Sequence, residues 1–206
     1  MNLKTYKNNP ASQNIYLYFD DETKDGIIVD AGTTQADEAD LHSYVQQNGI
    51  KVHAILLTHG HYDHLLGLGR LRKLLDAPAY CHEIEQKMLG DPTLNLGSDV
   101  KEKADKIVKD GEILTFGGLK LTAIHTPGHT AGGVCYFDKA NEVIFTGDTM
   151  FFGDIGRTDL PTSDHSTLIS SIKDKLLTLP EETKVYPGHG APTQIAQEKT
   201  SYLAYV

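Results

Sequence analysis

Short apolar runs separated by polar turns dominate the hydrophobic pattern of this chain. Runs rich in β-branched and aromatic side chains, bounded by turn residues, predict β-strands. The segments that fit are 14–20, 26–30, 54–58, 79–82, 112–116, 119–126, 133–138, 142–146 and 184–186. Polar residues 21–25, the pair Gly117-Gly118 and residues 139–141 stand where hairpin turns are expected.

Other segments carry apolar residues at helical spacing. Helices are predicted to begin at Thr34 and to cover 65–75, 83–89 and 166–177, with a polar tail of helical pattern from 194. At Thr34 the start is marked by Asp37 three residues later, which completes a capping-box pattern. Two sheets packed on each other with helices outside would bury all of these apolar faces.

The polar segment 90–106 breaks this alternation. It carries the turn signals Asp91-Pro92 and Gly97-Ser98, so we interpret it as a long surface segment. Loops of this length often act as lids, and a solvated connector fits the pattern equally well. The chain shows no repeat and no linker-like shift in composition, so residues 1–206 are expected to form a single domain.

Composition argues against several classes of function. The net charge of −9 disfavours a nucleic-acid-binding surface, which needs clustered cations. The polar N-terminus and the lack of a long apolar run predict neither a secretion signal nor a membrane partner. Cys81 and Cys135 lie in separate apolar runs and are interpreted as reduced core residues. We therefore expect a cytoplasmic protein, and the pattern leaves its oligomeric state open.

The candidate chemistry centres on residues 58–64, which read THGHYDH. Three histidines and one aspartate stand in the pattern H-x-H-x-D-H, and both residue types are ligands that zinc prefers. In an extended segment His59 and His61 point to the same side. Asp63 and His64 follow them and are placed to face a second metal ion.

Three more candidate ligands follow apolar runs elsewhere in the chain. These are His129, Asp148 and His189, and each stands just beyond a predicted strand. Loops at one set of strand ends converge over a rigid base, so all seven residues are predicted to meet in one site. Taken alone, each of the three also fits an ordinary turn or surface residue, and only the H-x-H-x-D-H run favours the ligand interpretation.

Five histidines and two aspartates suffice for two divalent ions that share a carboxylate. We assign the first ion to His59, His61 and His129, the second to Asp63, His64 and His189, and the bridge to Asp148. Two ions about 3.5–4 Å apart lower the pKa of a trapped water towards roughly 7 and polarise a carbonyl group. The pattern therefore predicts a hydrolase that attacks with a metal-bridging hydroxide, which Asp63 orients as a catalytic residue. Zinc is the expected metal, and iron and manganese accept the same ligands.

Four motifs carry a family resemblance: THGHYDH, HTPGHTAG, GDTMFFGDIGRTD and YPGHG, in this order. They resemble the metallo-β-lactamase superfamily, and most of all its glyoxalase II-like branch, the hydroxyacylglutathione hydrolases. The resemblance covers about residues 16–193. It implies an αββα sandwich with a binuclear metal site at one edge, and the family's ligands fall on the seven residues assigned above. It also implies hydrolysis of a small acyl-thioester such as S-lactoylglutathione.

Full-length members of this branch carry a helical C-terminal domain that supplies much of the glutathione pocket. Here the sequence ends at Val206, soon after His189, so a short form without that domain is expected. This departure leaves the thiol carrier of the substrate open.

A second resemblance leads to an alternative function. Residues 156–159, Gly-Arg-Thr-Asp, resemble persulfide dioxygenases of the same superfamily. That resemblance implies a single iron held by His59, His129 and Asp148, and consumption of oxygen. Arg157 itself is predicted to pair with Asp159 or Asp154. A hydrolase of another ester or lactone and a non-enzymatic metal-binding module are the remaining alternatives.

Overall fold

The computed structural model describes residues 1–7, 11–97 and 101–202. The strands in these ranges are β1 (Asn2–Lys7), β2 (Asn14–Phe19), β3 (Asp25–Val29), β4 (Lys51–Leu56), β5 (Ala79–His82), β6 (Lys106–Val108), β7 (Ile113–Phe116), β8 (Leu119–His125), β9 (Val134–Asp138), β10 (Val143–Gly147), β11 (Met150–Phe151), β12 (Asp154–Ile155), β13 (Lys184–Pro187) and β14 (Thr193–Gln194). The helices are α1 (Gln35–Asn48), α2 (Leu68–Leu75), α3 (Glu85–Gly90), α4 (Pro92–Asn95), α5 (His165–Ser171) and α6 (Ile195–Tyr202). A 3₁₀ turn covers Tyr62–His64, and a π-helical turn at Ile172–Leu176 continues α5.

Twelve of these strands form two six-stranded mixed sheets. The first has the order β1-β2-β3-β4-β5-β6 and the second the order β14-β13-β10-β9-β8-β7. In the first sheet β3, β4, β5 and β6 are parallel to one another. In the second sheet β8 and β10 each run antiparallel to β9, and β13 is parallel to β10. The carboxyl ends of β8, β10 and β13 therefore lie at the same edge.

Three apolar layers hold the sandwich together: one under the helices of the first sheet, one between the two sheets, and one under the helices of the second sheet. Leu41 of α1 and Leu71 of α2 pack on the outer face of the first sheet. Tyr16 and Phe145 belong to the layer between the sheets, where their ring centroids lie 5.4 Å apart. Leu168 of α5 packs on the outer face of the second sheet. This helix–sheet–sheet–helix order confirms the predicted αββα sandwich.

The structure departs from the predicted elements where the apolar signal is weak. No strand was expected before residue 14, yet β1 pairs with β2 along its whole length, and Tyr6 is its one buried residue. Within 90–106, residues 98–100 lie outside the described residues. The described part is not simply a loop, because it contains helix α4 and leads into β6. A role as a lid stays a prediction.

Other expectations of the sequence are confirmed within the described ranges. Cys81 and Cys135 are both free thiols and both buried. Among the described residues no helix has the length and apolar character needed to cross a membrane.

The start of helix α1 follows its capping-box pattern. The Thr34 hydroxyl accepts a hydrogen bond from the Asp37 backbone N–H at 3.3 Å, and the Asp37 carboxylate accepts one from the Thr34 N–H at 3.1 Å. Two N–H groups that the helix itself leaves unpaired are satisfied in this way.

Replacing Thr34 by alanine should lower the free energy of unfolding by about 1 kcal/mol, because the cap to the Asp37 N–H is lost. Urea denaturation followed by circular dichroism measures the change. Thr200→Ala is the matched control, since Thr200 is exposed on α6 and, among the described residues, its hydroxyl bonds the Ala196 carbonyl of its own helix. That variant should change the value by less than about 0.5 kcal/mol. Equal effects of the two substitutions would contradict the capping role.

Candidate metal centre

All seven residues that the sequence selected lie at one edge of the sandwich. The loop after β4 carries His59 and His61, the 3₁₀ turn carries Asp63 and His64, and the loops after β8, β10 and β13 carry His129, Asp148 and His189. The parallel directions of β8, β10 and β13 bring the last three together, although about 130 positions separate the first and last residues of the set.

The first group comprises His59, His61 and His129. Each ring offers one nitrogen, and these three atoms lie within 4.8 Å of one another. His61 Nδ1 is 3.0 Å from His129 Nε2. All three side chains are buried. This is the set predicted for the first ion.

The second group comprises Asp63, His64 and His189, again with donor atoms within 4.8 Å of one another. The His189 Nε2 atom lies 3.2 Å from Asp63 Oδ2, and the His64 Nε2 atom lies 3.8 Å from the same oxygen.

Asp148 faces both groups. Its Oδ1 is 3.4 Å from His64 Nε2, and its Oδ2 is 3.6 Å from both His129 Nε2 and His189 Nε2. One carboxylate thus reaches donor atoms of the first and the second group, as a shared ligand must.

Several donor atoms in this cluster have no hydrogen-bond partner within the described part of the chain. They are His59 Nε2, His61 Nε2, His64 Nε2 and Asp148 Oδ1, and all four are buried. A buried polar atom without a partner costs about 1–3 kcal/mol, so four of them in one small space require a ligand. Imidazole nitrogen and carboxylate oxygen are donors for divalent metal ions, and the donor set therefore fits such ions.

Burial sets the charge of the first group. Burial lowers the pKa of His59 well below its usual value, and the neighbouring imidazoles lower it further. Burial and the His129 ring lower the pKa of His61 to about 3. Both rings are therefore neutral at physiological pH and keep a lone pair for a metal ion.

The second group holds more charge. Burial alone would lower the pKa of His64, but the carboxylates of Asp30, Asp148 and Asp63 raise it well above its usual value. Burial alone would raise the pKa of Asp148, and the positive charge of His64 lowers it instead. His64 and His189 likewise lower the pKa of Asp63, so the Asp63 and Asp148 carboxylates are ionised, which favours a cation between them.

Asp30 is a residue of the site that the sequence interpretation missed. Its Oδ2 lies 2.8 Å from His64 Nδ1, and its Oδ1 accepts a 2.8 Å hydrogen bond from the Thr58 N–H. The backbone φ of Asp30 is 61°, which is unusual for a residue other than glycine. Residues in such strained conformations cluster at functional sites. Asp30 directly follows β3, which is parallel to β4, so the strand-end argument would have found it if extended to this strand.

Two further ring nitrogens of the site are also held by the chain. His129 Nδ1 lies 2.9 Å from the Arg157 carbonyl oxygen, and His59 Nδ1 lies 3.1 Å from the Thr58 hydroxyl. Such contacts fix the orientation of a ligand ring and leave its Nε2 for the metal.

A second missed residue, Asn14, supports the His189 loop. Its Nδ2 donates to the Pro187 and Gly190 carbonyls, both at 3.0 Å, and Tyr16 Oη donates to the Pro187 carbonyl at 2.6 Å. In sequence Asn14 is only the first residue of a strand, and no pattern points to this role.

The site opens towards solvent on the side of the second group. Side-chain exposure is 28% for His189 and 15% for Asp63, against 0% for His64. The Phe151 ring lies edge-on to His189 with centroids 6.3 Å apart, and the nearby Phe152 is exposed.

Arg157 pairs with Asp159 at 2.7 Å, and both side chains are exposed. The predicted ion pair is therefore confirmed with Asp159 as the partner.

Comparison with known proteins places the candidate metal centre within one protein family. A family model described as the metallo-beta-lactamase superfamily matches residues 8–189, the range that contains all seven residues. The probable metallo-hydrolase YqgX of Bacillus subtilis is 39% identical, and the match covers 92% of this chain and 90% of YqgX. Hydroxyacylglutathione hydrolase GloC of Haemophilus influenzae is 33% identical, and the match covers 98% of this chain and 96% of GloC.

Solved structures show the same likeness. BLEG-1 B3 metallo-beta-lactamase superposes with a TM-score of 0.90 at 35% identity, and the match covers 97% of each chain. TTHA1623 in a di-iron-bound form gives 0.82 at 31% identity, with 96% of this chain and 98% of that chain covered. ETHE1 from Myxococcus xanthus gives 0.80 at 29% identity, with 97% and 82% covered. From its motifs, its fold and these matches, the chain belongs to the metallo-beta-lactamase superfamily.

Proposed function

We propose that this protein is a metal-dependent hydrolase of small acyl-thioesters, of the glyoxalase II type. The observation that carries the hydrolase assignment is the pair of adjoining donor groups that share Asp148. The thioester class is supported by the likeness to GloC, whose name is hydroxyacylglutathione hydrolase, at 33% identity over nearly the whole chain.

We assign one divalent ion to the first group and a second ion to the second group, with Asp148 shared. When bound, such a pair supplies an acidified water as nucleophile and polarises the substrate carbonyl. Nitrogen and oxygen ligands accept zinc, iron and manganese, and the di-iron form of TTHA1623 supports iron beside zinc.

Asp63 is the proposed catalytic residue among the chain's own groups. Burial alone would raise its pKa, but His64 and His189 lower it, so the carboxylate is ionised. It stands on the solvent side of the site, where it can orient the attacking water and accept its proton. The thiol released from the substrate has a pKa of about 8.5, so it can leave as the thiolate, and the reaction needs no dedicated acid for the leaving group.

A persulfide dioxygenase is the second candidate, favoured by the resemblance of residues 156–159 to such enzymes. It would use His59, His129 and Asp148 for a single iron. That function leaves the second group without a part in metal binding, whereas the hydrolase uses both groups. A β-lactam substrate is a further alternative, because BLEG-1 is named as a B3 metallo-beta-lactamase.

Asp148→Ala should abolish metal binding and hydrolysis together, because both donor groups lose their shared carboxylate. Metal per chain is measured by inductively coupled plasma mass spectrometry, and hydrolysis is followed with S-lactoylglutathione. Asp154→Ala is the control, since Asp154 is exposed on the neighbouring hairpin of β11 and β12. Full metal content and turnover in the Asp148 variant would refute the assignment.

Asp30→Asn should lower metal affinity or activity about 10- to 100-fold, because it weakens the carboxylate contact that orients His64. The affinity is measured by zinc competition with a chromogenic chelator. Asp138→Asn is the matched control, because Asp138 is equally buried and bonds Tyr18 at the opposite end of the sandwich. Comparable losses in both variants would indicate a general effect on folding.

Counting metals alongside three assays distinguishes the candidate functions. The assays are thioester hydrolysis, oxygen uptake with glutathione persulfide, and hydrolysis of a chromogenic cephalosporin. We expect two metals per chain and thioester hydrolysis. One iron with oxygen uptake would replace the hydrolase by the dioxygenase, and cephalosporin turnover alone would move the substrate class to β-lactams. Metal without any of these activities would point to another ester or lactone.

A further inference from the structure

Glu85, the first residue of helix α3, is a buried carboxylate outside the seven-residue set. Its exposed fraction is 1%. Among the described residues it forms no ion pair with a lysine, arginine or histidine. A buried carboxylate without a cationic partner is costly, so other interactions must offset its burial.

The two carboxylate oxygens of Glu85 bond to two different loops of the metal centre. Oε2 accepts from the Gly60 N–H at 2.7 Å, and Oε1 accepts from the Gly132 N–H at 2.8 Å. Gly60 lies between His59 and His61, and Gly132 lies three residues after His129. One side chain therefore joins the two loops that supply all three residues of the first group.

Both loops have glycine at the position that Glu85 approaches. A Cβ atom at Gly60 would lie 3.0 Å from Glu85 Oε2, and one at Gly132 would lie 2.8 Å from Glu85 Oε1. Real Cβ atoms essentially never come closer than 3.0 Å, so a side chain at 132 would displace the Glu85 carboxylate and also the Glu85 backbone nitrogen, which lies at the same 2.8 Å. The absence of a side chain at both Gly60 and Gly132 therefore lets Glu85 approach both loops closely.

We propose that Glu85 is a positioning residue for the first metal group, because its carboxylate holds the loop of His59 and His61 and the loop of His129 together. This inference rests on the metal assignment in the proposed function, and it does not depend on the substrate.

The test is zinc binding by the full chain without substrate, measured by competition with a chromogenic chelator. Glu85→Gln keeps the size of the side chain but removes its charge and replaces one acceptor by an N–H₂ donor. The affinity of one of the two zinc ions should fall about 10- to 100-fold, while the other changes little. Glu85→Asp keeps the charge but is too short to reach both amides, so it should give an intermediate loss.

Two further variants separate positioning from mere stability. Glu38→Gln is the matched control, since Glu38 is also buried but bonds Thr33 and Arg70 and no ligand loop. It should leave both zinc affinities unchanged. Gly132→Ala keeps the Glu85 side chain but displaces its carboxylate together with its backbone N–H, and it should weaken the binding of one zinc ion as Glu85→Gln does. If Glu85→Gln does not fold, the zinc affinity of Gly132→Ala is measured in its place.

Wild-type zinc affinity in Glu85→Gln, or in Gly132→Ala where that variant stands in for it, would overturn the inference, even if thermal stability of the metal-free protein fell. A wild-type chain that binds no zinc, iron or manganese would remove the metal assignment and this inference with it. A chain that binds two zinc ions but cleaves no thioester would refute only the proposed substrate.

Discussion

Crowding of buried, unpartnered donor atoms at one edge of the sandwich is the constraint on which the rest of the structure depends. Each such atom costs about 1–3 kcal/mol, and His59 Nε2 and His61 Nε2 are two of them. Their cost is a sizeable share of the whole stability of an ordinary domain, about 5–15 kcal/mol. The scaffold must therefore hold these atoms together against a large penalty until a ligand offsets it.

Hydrogen bonds between the two sheets help to meet that requirement. Tyr136 Oη on β9 of the second sheet donates to the Leu57 carbonyl just beyond β4 of the first, at 2.8 Å. In the other direction the Asn14 N–H on β2 donates to the Gly188 carbonyl beyond β13, at 2.7 Å. Each bond fixes a strand end that carries ligands, the end of β4 in the first case and the end of β13 in the second. The position of the site therefore follows from the packing of the sandwich.

The sequence predicts this architecture well because strands and ligands are linked locally. Each predicted ligand directly follows an apolar run, so the run marks the strand and the loop marks the site. Asn14 and Glu85 escape such reasoning because their roles depend on residues far away in the chain. Glu85 looks like an ordinary acidic residue in the first turn of a helix, and only the fold shows that Gly60 and Gly132 surround its carboxylate. Strand β1 is missed because a mostly exposed strand shows little apolar alternation.

The two donor groups differ in a way that divides their chemistry. His59 and His61 are deeply buried and neutral, and the Gly60 N–H between them is bonded to the buried carboxylate of Glu85. Asp63 and His189 are more exposed, and Asp63 presents its charge directly at the opening. A buried, rigidly held group suits an ion that stays in place, while an open, anionic group suits the exchange of water and substrate. The attacking water and its proton acceptor therefore belong on the Asp63 side, and the buried histidine group serves to fix the geometry against which the substrate is placed.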